Sequence, residues 1–324
     1  MTSTKVLPNE WAGGQHREIA KHQLKETDMA QDTRSKIFVV VGATGNVGRA
    51  VASKLQSLGH QVRLIARSLG VPFEDRVKLN EAFSGAHGAY LMIPFDVAAP
   101  DLHRREDEIG DALAQAVHSS AVPRVVLLSG LSAHLSEKSV GSAKGAAMME
   151  QRLNAMDIGE FVRLRAAFFM ENLLQCVPQM AQTGGFGWAF SGNKPMPMIA
   201  TKDVGVRAAE ILVASQVGPR VQELHGPRDY TMTEAVSILG ASVGLPNARY
   251  IQLSYGEGRA GMIGAGISPS LADAVMETAR GFNEGQVWAK EVRSPRNTTG
   301  TTLETFAAEI FAPAYRAAVE KSGR

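Results

Sequence analysis

Apolar runs alternating with helical stripes set the frame of this chain from residue 36 onward. Residues 36–41 (KIFVVV) form a continuous, mostly β-branched apolar run, the pattern of a strand buried on both faces in a parallel sheet. Residues 49–58 then carry apolar positions at helical spacing, and Gly59 stands where a helix C-cap needs a left-handed residue. Residues 61–66 (QVRLIA), 89–94 (AYLMIP), 124–129 (RVVLLS) and 161–165 (FVRLR) read as further strands, the last counted as the sixth. Residues 75–83 (DRVKLNEAF) and 106–119 read as helices between them. The alternation predicts an α/β protein with a Rossmann-type, doubly wound parallel sheet. Its expected bounds are 36–165, with 166–324 mostly a smaller C-terminal substrate-binding region.

One interval is too short for that plan. Only 21 residues separate Arg67 from Ala89, where a helix, a strand and another helix need on the order of 25 or more. Residues 75–83 match the later helix, so the earlier helix and the third strand are what is missing. Two explanations stay open: a reduced sheet edge that leaves the second strand exposed, or a stretch absent between Arg67 and Asp75.

The turn after the first strand carries the first chemistry. Gly42, Ala43, Thr44, Gly45, Asn46, Val47 and Gly48 give the spacing GxxGxxG between a strand and a helix. Glycines there allow a tight turn, approach of the backbone to a pyrophosphate, and close packing of helix on strand, while the helix N-terminus offers unpaired N–H groups. At the end of the second strand, where an NAD site places a carboxylate, this chain has Arg67 followed by Ser68. A planar cation and a hydroxyl suit a 2′-phosphate, so NADPH is favoured over NADH. The plainer reading of Arg67 is a solvated side chain at a strand end.

Composition narrows the remaining classes. With 324 residues, 44% of them hydrophobic and 20% charged, the chain has enough apolar surface to fold. Lys plus Arg number 34 against 32 for Asp plus Glu, so no general attraction draws it to nucleic acid or to acidic membranes. The lone cysteine, Cys176, has no partner for an internal disulfide, and the eight histidines show no metal-ligand spacing. A reducing, cytoplasmic setting without a metal is expected. No GxSxG elbow and no GK[ST] phosphate loop appears. Residues 1–35 hold no signal-like or membrane-spanning run, balance five basic against five acidic residues, and contain Pro8, Gly13 and Gly14. They are expected to be a mobile or loosely docked extension, with a partner-binding arm as the alternative and Met29 as an alternative start.

The GATGNVG turn at 42–48, with ARS at 66–68, resembles the atypical, NmrA-like branch of the short-chain dehydrogenase/reductase superfamily. Residues 165–172 (RAAFFMEN), 198–205 (MIATKDVG), 226–234 (GPRDYTMTE) and 302–306 (TLETF) are similar to that branch in composition and order, RAAFFMEN most specifically. The likeness runs from residue 36 to about 315.

In such a sheet the strand ends line the cofactor crevice, which brings Ile93, Pro94 and Ser129 near ribose and nicotinamide. The resemblance puts Ser129 beside the nicotinamide; residues 166–172, Ala167 and Phe168 among them, are expected to pass it after the next strand, with Phe95, Phe169, Asn172, Trp188 and Met198 expected on the substrate side. Phe168, Phe169, Phe186, Trp188 and Phe190, with Met170, Met196 and Met198, are rich enough in aromatic and sulfur groups to wall a flat apolar pocket, although core filling explains each one singly. Residues 256–266 (GEGRAGMIGAG) are glycine-rich and read as a mobile loop, suited to a lid over that pocket.

The superfamily's usual tyrosine, four residues before a lysine, is absent, since Val140 precedes Lys144. Lys144 reads as a solvated lysine at a helix start, and no catalytic residue is assigned. The resemblance implies an NADPH-dependent oxidoreductase that passes hydride to a quinone-like or other conjugated aromatic acceptor, whose phenolate then collects a proton from water. The alternative is a non-catalytic NADP(H)-binding redox sensor that regulates a protein partner. The missing tyrosine suits both.

Overall fold

A computed structural model of the chain describes residues 35–138, 141–321 and 323. The extension apart from Ser35, Met29 included, and Val140 lie outside the described residues. Ile37–Arg324 forms one unit.

Six parallel strands build the main sheet: β1 (Ile37–Val41), β2 (Gln61–Ile65), β3 (Gly88–Leu91), β4 (Arg124–Gly130), β5 (Glu160–Ala166) and β6 (Val221–Leu224), in the order β2-β1-β3-β4-β5-β6. The helices are α1 (Asn46–Ser57), α2 (Arg76–Phe83), α3 (Leu102–Ser119), α4 (Lys144–Asn154), α5 (Cys176–Thr183), α6 (Thr201–Val213), α7 (Met232–Ser242), α8 (Tyr255–Gly264) and α9 (Pro269–Asn283). Alternate strand residues face opposite layers. Phe38, Val40, Tyr90 and Val126 pack with α1 and α6, through residues such as Val51, Leu55, Val204 and Ala208. Val39, Val41, Leu91 and Leu127 pack with α2, α3 and α4, through Leu79, Leu113 and Met149. The sheet is therefore doubly wound, as its apolar runs predict.

With the short interval after Arg67, the sheet ends at β2. Among the described residues no strand lies beyond β2, and Leu64 on it is 39% exposed. The chain leaves β2 through a 3-10 turn at Arg67–Leu69, reverses at Gly70 (φ +78°), and enters α2 at Asp75, whose carboxylate accepts from the Lys78 N–H at 3.1 Å. Arg63 reaches from β2 to donate to the carbonyls of Ala82 (2.9 Å) and Ser84 (2.5 Å), tying the edge strand to the end of α2. The run at 161–165 is thus the fifth strand in chain order, not the sixth.

The run at 89–94 is shorter as a strand than the sequence pattern implies, because β3 stops at Leu91 and leaves Ile93 and Pro94 in the loop beyond it. β1 has β2 on one side and β3 on the other, so the turns after β1 and β3 flank the switch point of the topology.

The second region has its own core, around Phe168, Met170, Trp188, Phe190, Met198, Tyr230 and Phe306. Short strands at Phe168–Phe169, Met196–Ile199 and Asp229–Tyr230 form one small sheet, and Phe186–Trp188 pairs with Tyr250–Gln252 in another. Between these pieces α6 and β6 return to the main sheet, so the two regions interleave.

The glycine-rich stretch at 256–266 is no loop. Ser254 and Glu257 form a capping box, and α8 runs through most of the stretch. Its Gly258 lies against α9, where an added Cβ would stand 3.0 Å from Met276 Sδ. Close packing and the cap outweigh the poor helix propensity of glycine, and the lid expectation loses its loop.

Candidate functional site

The turn at the switch point has the geometry of a phosphate cradle. Gly42 takes the left-handed φ of +69°, and the N–H groups of Gly42 and Ala43 both donate to the Ile65 carbonyl, at 2.9 and 3.2 Å. Gly48 permits the closest approach: an added Cβ would stand 2.2 Å from the Gly42 carbonyl oxygen. Gly45 is the N-cap of α1 with no side-chain cap, and the first turn of α1 holds no acidic residue. Thr44, Gly45 and Asn46 are exposed there, while the Val47 side chain enters the core. Free N–H groups, the positive end of the helix and the absence of a carboxylate together favour an anion.

Arg67 opens the 3-10 turn after β2 with its side chain 55% exposed, and Ser68 beside it is exposed. Arg67 Nη1 lies 3.5 Å from Asp96 Oδ2, which comes from the loop after β3. Such an exposed and distant pair contributes little by itself.

A cleft of about 370 Å³ opens at the carboxyl ends of β3, β4 and β5. It brings together Ile93, Phe95, Ser129, Ala167, Phe168, Phe169, Asn172 and Trp188 from the expected set. Pro94 and Met198 are not on its wall: Met198 is fully buried, because its strand pairs with Phe168 and turns its side chain into the second core. Phe186 and Met170 likewise fill that core. Met92 lines the cleft and also sits against Gly42, where an added Cβ would meet its Sδ at 2.6 Å, so the cradle and the cleft adjoin.

The aromatic wall is built edge to face. The Trp188 and Phe190 rings are 4.5 Å apart between centroids, and Phe168 lies 5.9 Å from Trp188 and 5.5 Å from Phe190. Each such pair adds about 0.5–1.5 kcal/mol beyond the area it buries. Phe282 and Met262 extend the wall from α9 and α8, and Glu106 reaches it from α3. Sequence reasoning missed these three; Glu106 opens a stretch that reads as a helix, while Met262 lies in the stretch that reads as a loop. Two polar atoms of this wall, Ser129 Oγ and Trp188 Nε1, are buried without a hydrogen-bond partner among the described residues.

The stretches that carry the family resemblance are largely fastenings. Arg165 pairs with the buried Glu150 through its Nε (3.0 Å) and Nη2 (2.6 Å), joining β5 to α4. Glu171 accepts from Thr201 at the start of α6, and Asp203 accepts from the Thr301 hydroxyl at 2.9 Å. Gly205 lets α6 lie against α1, since an added Cβ would stand 2.4 Å from Ala50 Cβ. The Tyr230 hydroxyl accepts from the Leu303 N–H at 3.0 Å. The Glu171 and Asp203 bonds tie the second region to α6, which packs on the main sheet.

Lys144 is half-buried at the first turn of α4, and its ammonium makes no hydrogen bond or ion pair among the described residues. Cys176 is fully buried, and burial pushes its thiol pKa up, away from a reactive thiolate. Among the described residues no His, Cys, Asp and Glu cluster is placed to hold a metal, and no helix is long and apolar enough to cross a membrane.

A nucleotide fits these residues: Thr44, Gly45 and Asn46 lie exposed at a helix N-terminus that no side chain caps, and Ser129 presents an orphaned hydroxyl at a strand end. A doubly wound parallel sheet with this turn at its switch point defines a dinucleotide-binding protein of the Rossmann type. More narrowly, residues 33–290 match the NmrA-like family, and the chain belongs to it.

It is 27% identical over 301 residues to a (4-alkanoyl-5-oxo-2,5-dihydrofuran-3-yl)methyl phosphate reductase of Streptomyces griseus, covering 86% of this chain and all of that one. It is 24% identical over 297 residues to an NAD(P)H azoreductase of Xenophilus azovorans, covering 87% and 99%. Its fold is similar to the NADPH complex of an Escherichia coli NADPH-dependent quinone oxidoreductase, with TM-score 0.68, 21% identity, and 85% and 99% of the two chains covered.

Proposed function

We propose that this chain passes hydride from NADPH to a quinone-like or other conjugated aromatic acceptor. The chain is an NAD(P)H-dependent oxidoreductase, in keeping with relatives that are named reductases along most of its length. The finer reading rests on one observation: an aromatic, largely apolar cleft adjoins the phosphate cradle and opens at the strand ends beside Ser129.

The residues divide the work by their chemistry. The 42–48 turn and the N-terminus of α1 receive the pyrophosphate, and Arg67 with Ser68 receives the 2′-phosphate, with Asp96 giving up its loose hold on Arg67. Ser129 offers its hydroxyl to the nicotinamide end, while Ala167 and Phe168 bound that end of the cleft. Phe169, Trp188 and Phe190 present flat apolar surfaces to an aromatic ring and keep water from it. When bound, the cofactor supplies the hydride. A conjugated acceptor spreads the resulting charge over its ring, which suits a site without the superfamily's tyrosine.

The test is NADPH oxidation with a panel of quinones, azo dyes and simple ketones. Turnover that rises with the acceptor's reduction potential, and exceeds that of ketones, supports the reading. Cofactor binding without turnover of any acceptor would instead favour the redox-sensor alternative and a protein partner.

A further inference from the structure

Glu106 is a carboxyl group in an unusual place. It sits in α3 with 2% of its surface exposed, yet it lines the cleft. One helical turn earlier, His103 puts its Nδ1 2.9 Å from Glu106 Oε2, with 28% of the His103 side chain still exposed. No other hydrogen-bond partner of Glu106 is present among the described residues. Room for the carboxyl comes from Gly145 in α4, where an added Cβ would stand 2.5 Å from the Glu106 carboxyl carbon. A buried carboxyl with a single, titratable partner makes a poor structural tie, because a charged group there loses water and gains one bond.

We propose that Glu106 and His103 form a proton relay, with Glu106 as the group that protonates the reduced acceptor in the cleft and His103 as its link to solvent. The inference rests on the reductase reading above and replaces the solvent proton expected from the sequence. The acceptor takes two electrons and one hydrogen as hydride from the reduced nicotinamide, which is oxidised, and is left with an anionic oxygen or nitrogen. Glu106 gives that atom its carboxyl proton: the carboxyl O–H bond breaks and the acceptor's O–H or N–H bond forms. His103 returns a proton from Nδ1 to the carboxylate and regains one from water. No further oxidant or reductant is needed.

Two acceptor classes separate this role from a structural one. A quinone needs hydride and a proton, whereas a cationic triarylmethane dye becomes neutral on taking hydride alone. Glu106→Gln should lower kcat for a benzoquinone about a hundredfold, the low end of general-acid effects, and leave kcat for the dye within about twofold. His103→Asn should cut quinone kcat about tenfold and spare the dye, since the relay loses its outer half only. The wild type should show a solvent deuterium isotope effect with the quinone and none with the dye.

Equilibrium titration of NADPH should give the same Kd for wild type and both variants. Equal loss on both acceptors, or a weakened NADPH Kd that accounts for the loss, would overturn the relay. Should Glu106→Gln fail to fold, the quinone-to-dye ratio in His103→Asn decides. Absence of turnover by the wild type with every acceptor would overturn the reductase reading, and the relay with it.

Discussion

Glu171 closes the N-terminus of α6 by accepting from Thr201 through both backbone and side chain: Thr201 N lies 3.0 Å from each carboxylate oxygen, and its Oγ1 is 2.6 Å from Oε1. The bond joins the most family-specific stretch of the sequence to the helix that packs on α1. Burial raises the Glu171 carboxyl above its ordinary value, against the lowering pull of the Thr201 bonds.

Its pH dependence follows from that direction. The folded state holds this proton to higher pH than the unfolded chain does, so the contribution to stability is full below the unfolded pKa and is lost as pH rises through the folded one. Glu171→Gln removes the titration while keeping one acceptor for Thr201. Urea unfolding should show the variant about 0.5–1.5 kcal/mol less stable at low pH, with the gap narrowing as pH rises. A gap that widens instead would reverse the sign assigned here.

Two glycines of one turn should fail in different ways. Gly48→Ala drives a methyl into the Gly42 carbonyl at 2.2 Å, a backbone atom that cannot swing aside, and should cost about 1–3 kcal/mol of fold stability. At Gly45 the nearest atom to an added Cβ is 3.2 Å away and the residue is exposed, so Gly45→Val should fold and lose NADPH affinity instead. Denaturation midpoints and NADPH titrations on both variants distinguish the two effects.

Arg67→Asp should weaken NADPH by about 2 kcal/mol or more while sparing NADH, because a charge-assisted bond is lost and a like charge replaces it. Asp96, 3.5 Å from the arginine in the folded protein, adds to the repulsion. Paired titrations read the outcome. Equal weakening of both cofactors would remove the 2′-phosphate from this position.

Lys144→Ala should leave quinone turnover within about twofold, since the ammonium holds nothing among the described residues and a lysine without its tyrosine lacks the usual acid to tune. Loss of quinone turnover with cofactor binding intact would return Lys144 to the chemistry.

The parts legible in the sequence were those with a local cause. Val39, Val40 and Val41 mark a strand buried on both faces, and Gly42, Gly45 and Gly48 mark its turn. The shortage of residues after Arg67 is legible in the sequence, and the strand order shows where it falls, at the β2 edge. The helix α8 is legible at its start, where Ser254 and Glu257 stand at capping-box spacing, although its glycine count points to a loop. Composition alone groups Met198 with the pocket aromatics, whereas strand pairing decides which way its side chain turns. Glu106 lies in a run of charged residues, and the room for its buried carboxyl comes from Gly145 on a helix distant in sequence, which no local pattern shows.

The interleaving of the two regions has a consequence for how the chain comes off the ribosome. A nascent chain that has reached Ala200 carries the whole phosphate turn but lacks α6, the helix that packs on α1, and β6, which completes the sheet beside β5. The far wall of the cleft, at Phe282, arrives later still, and the Tyr230 bond to Leu303 later again. At roughly 5–20 residues per second, the stretch from Gly48 to Leu303 takes on the order of ten to fifty seconds to synthesise. The apolar face meant for α6 is without its cover until residue 213 is made, and the aromatic wall is without Phe282 for longer.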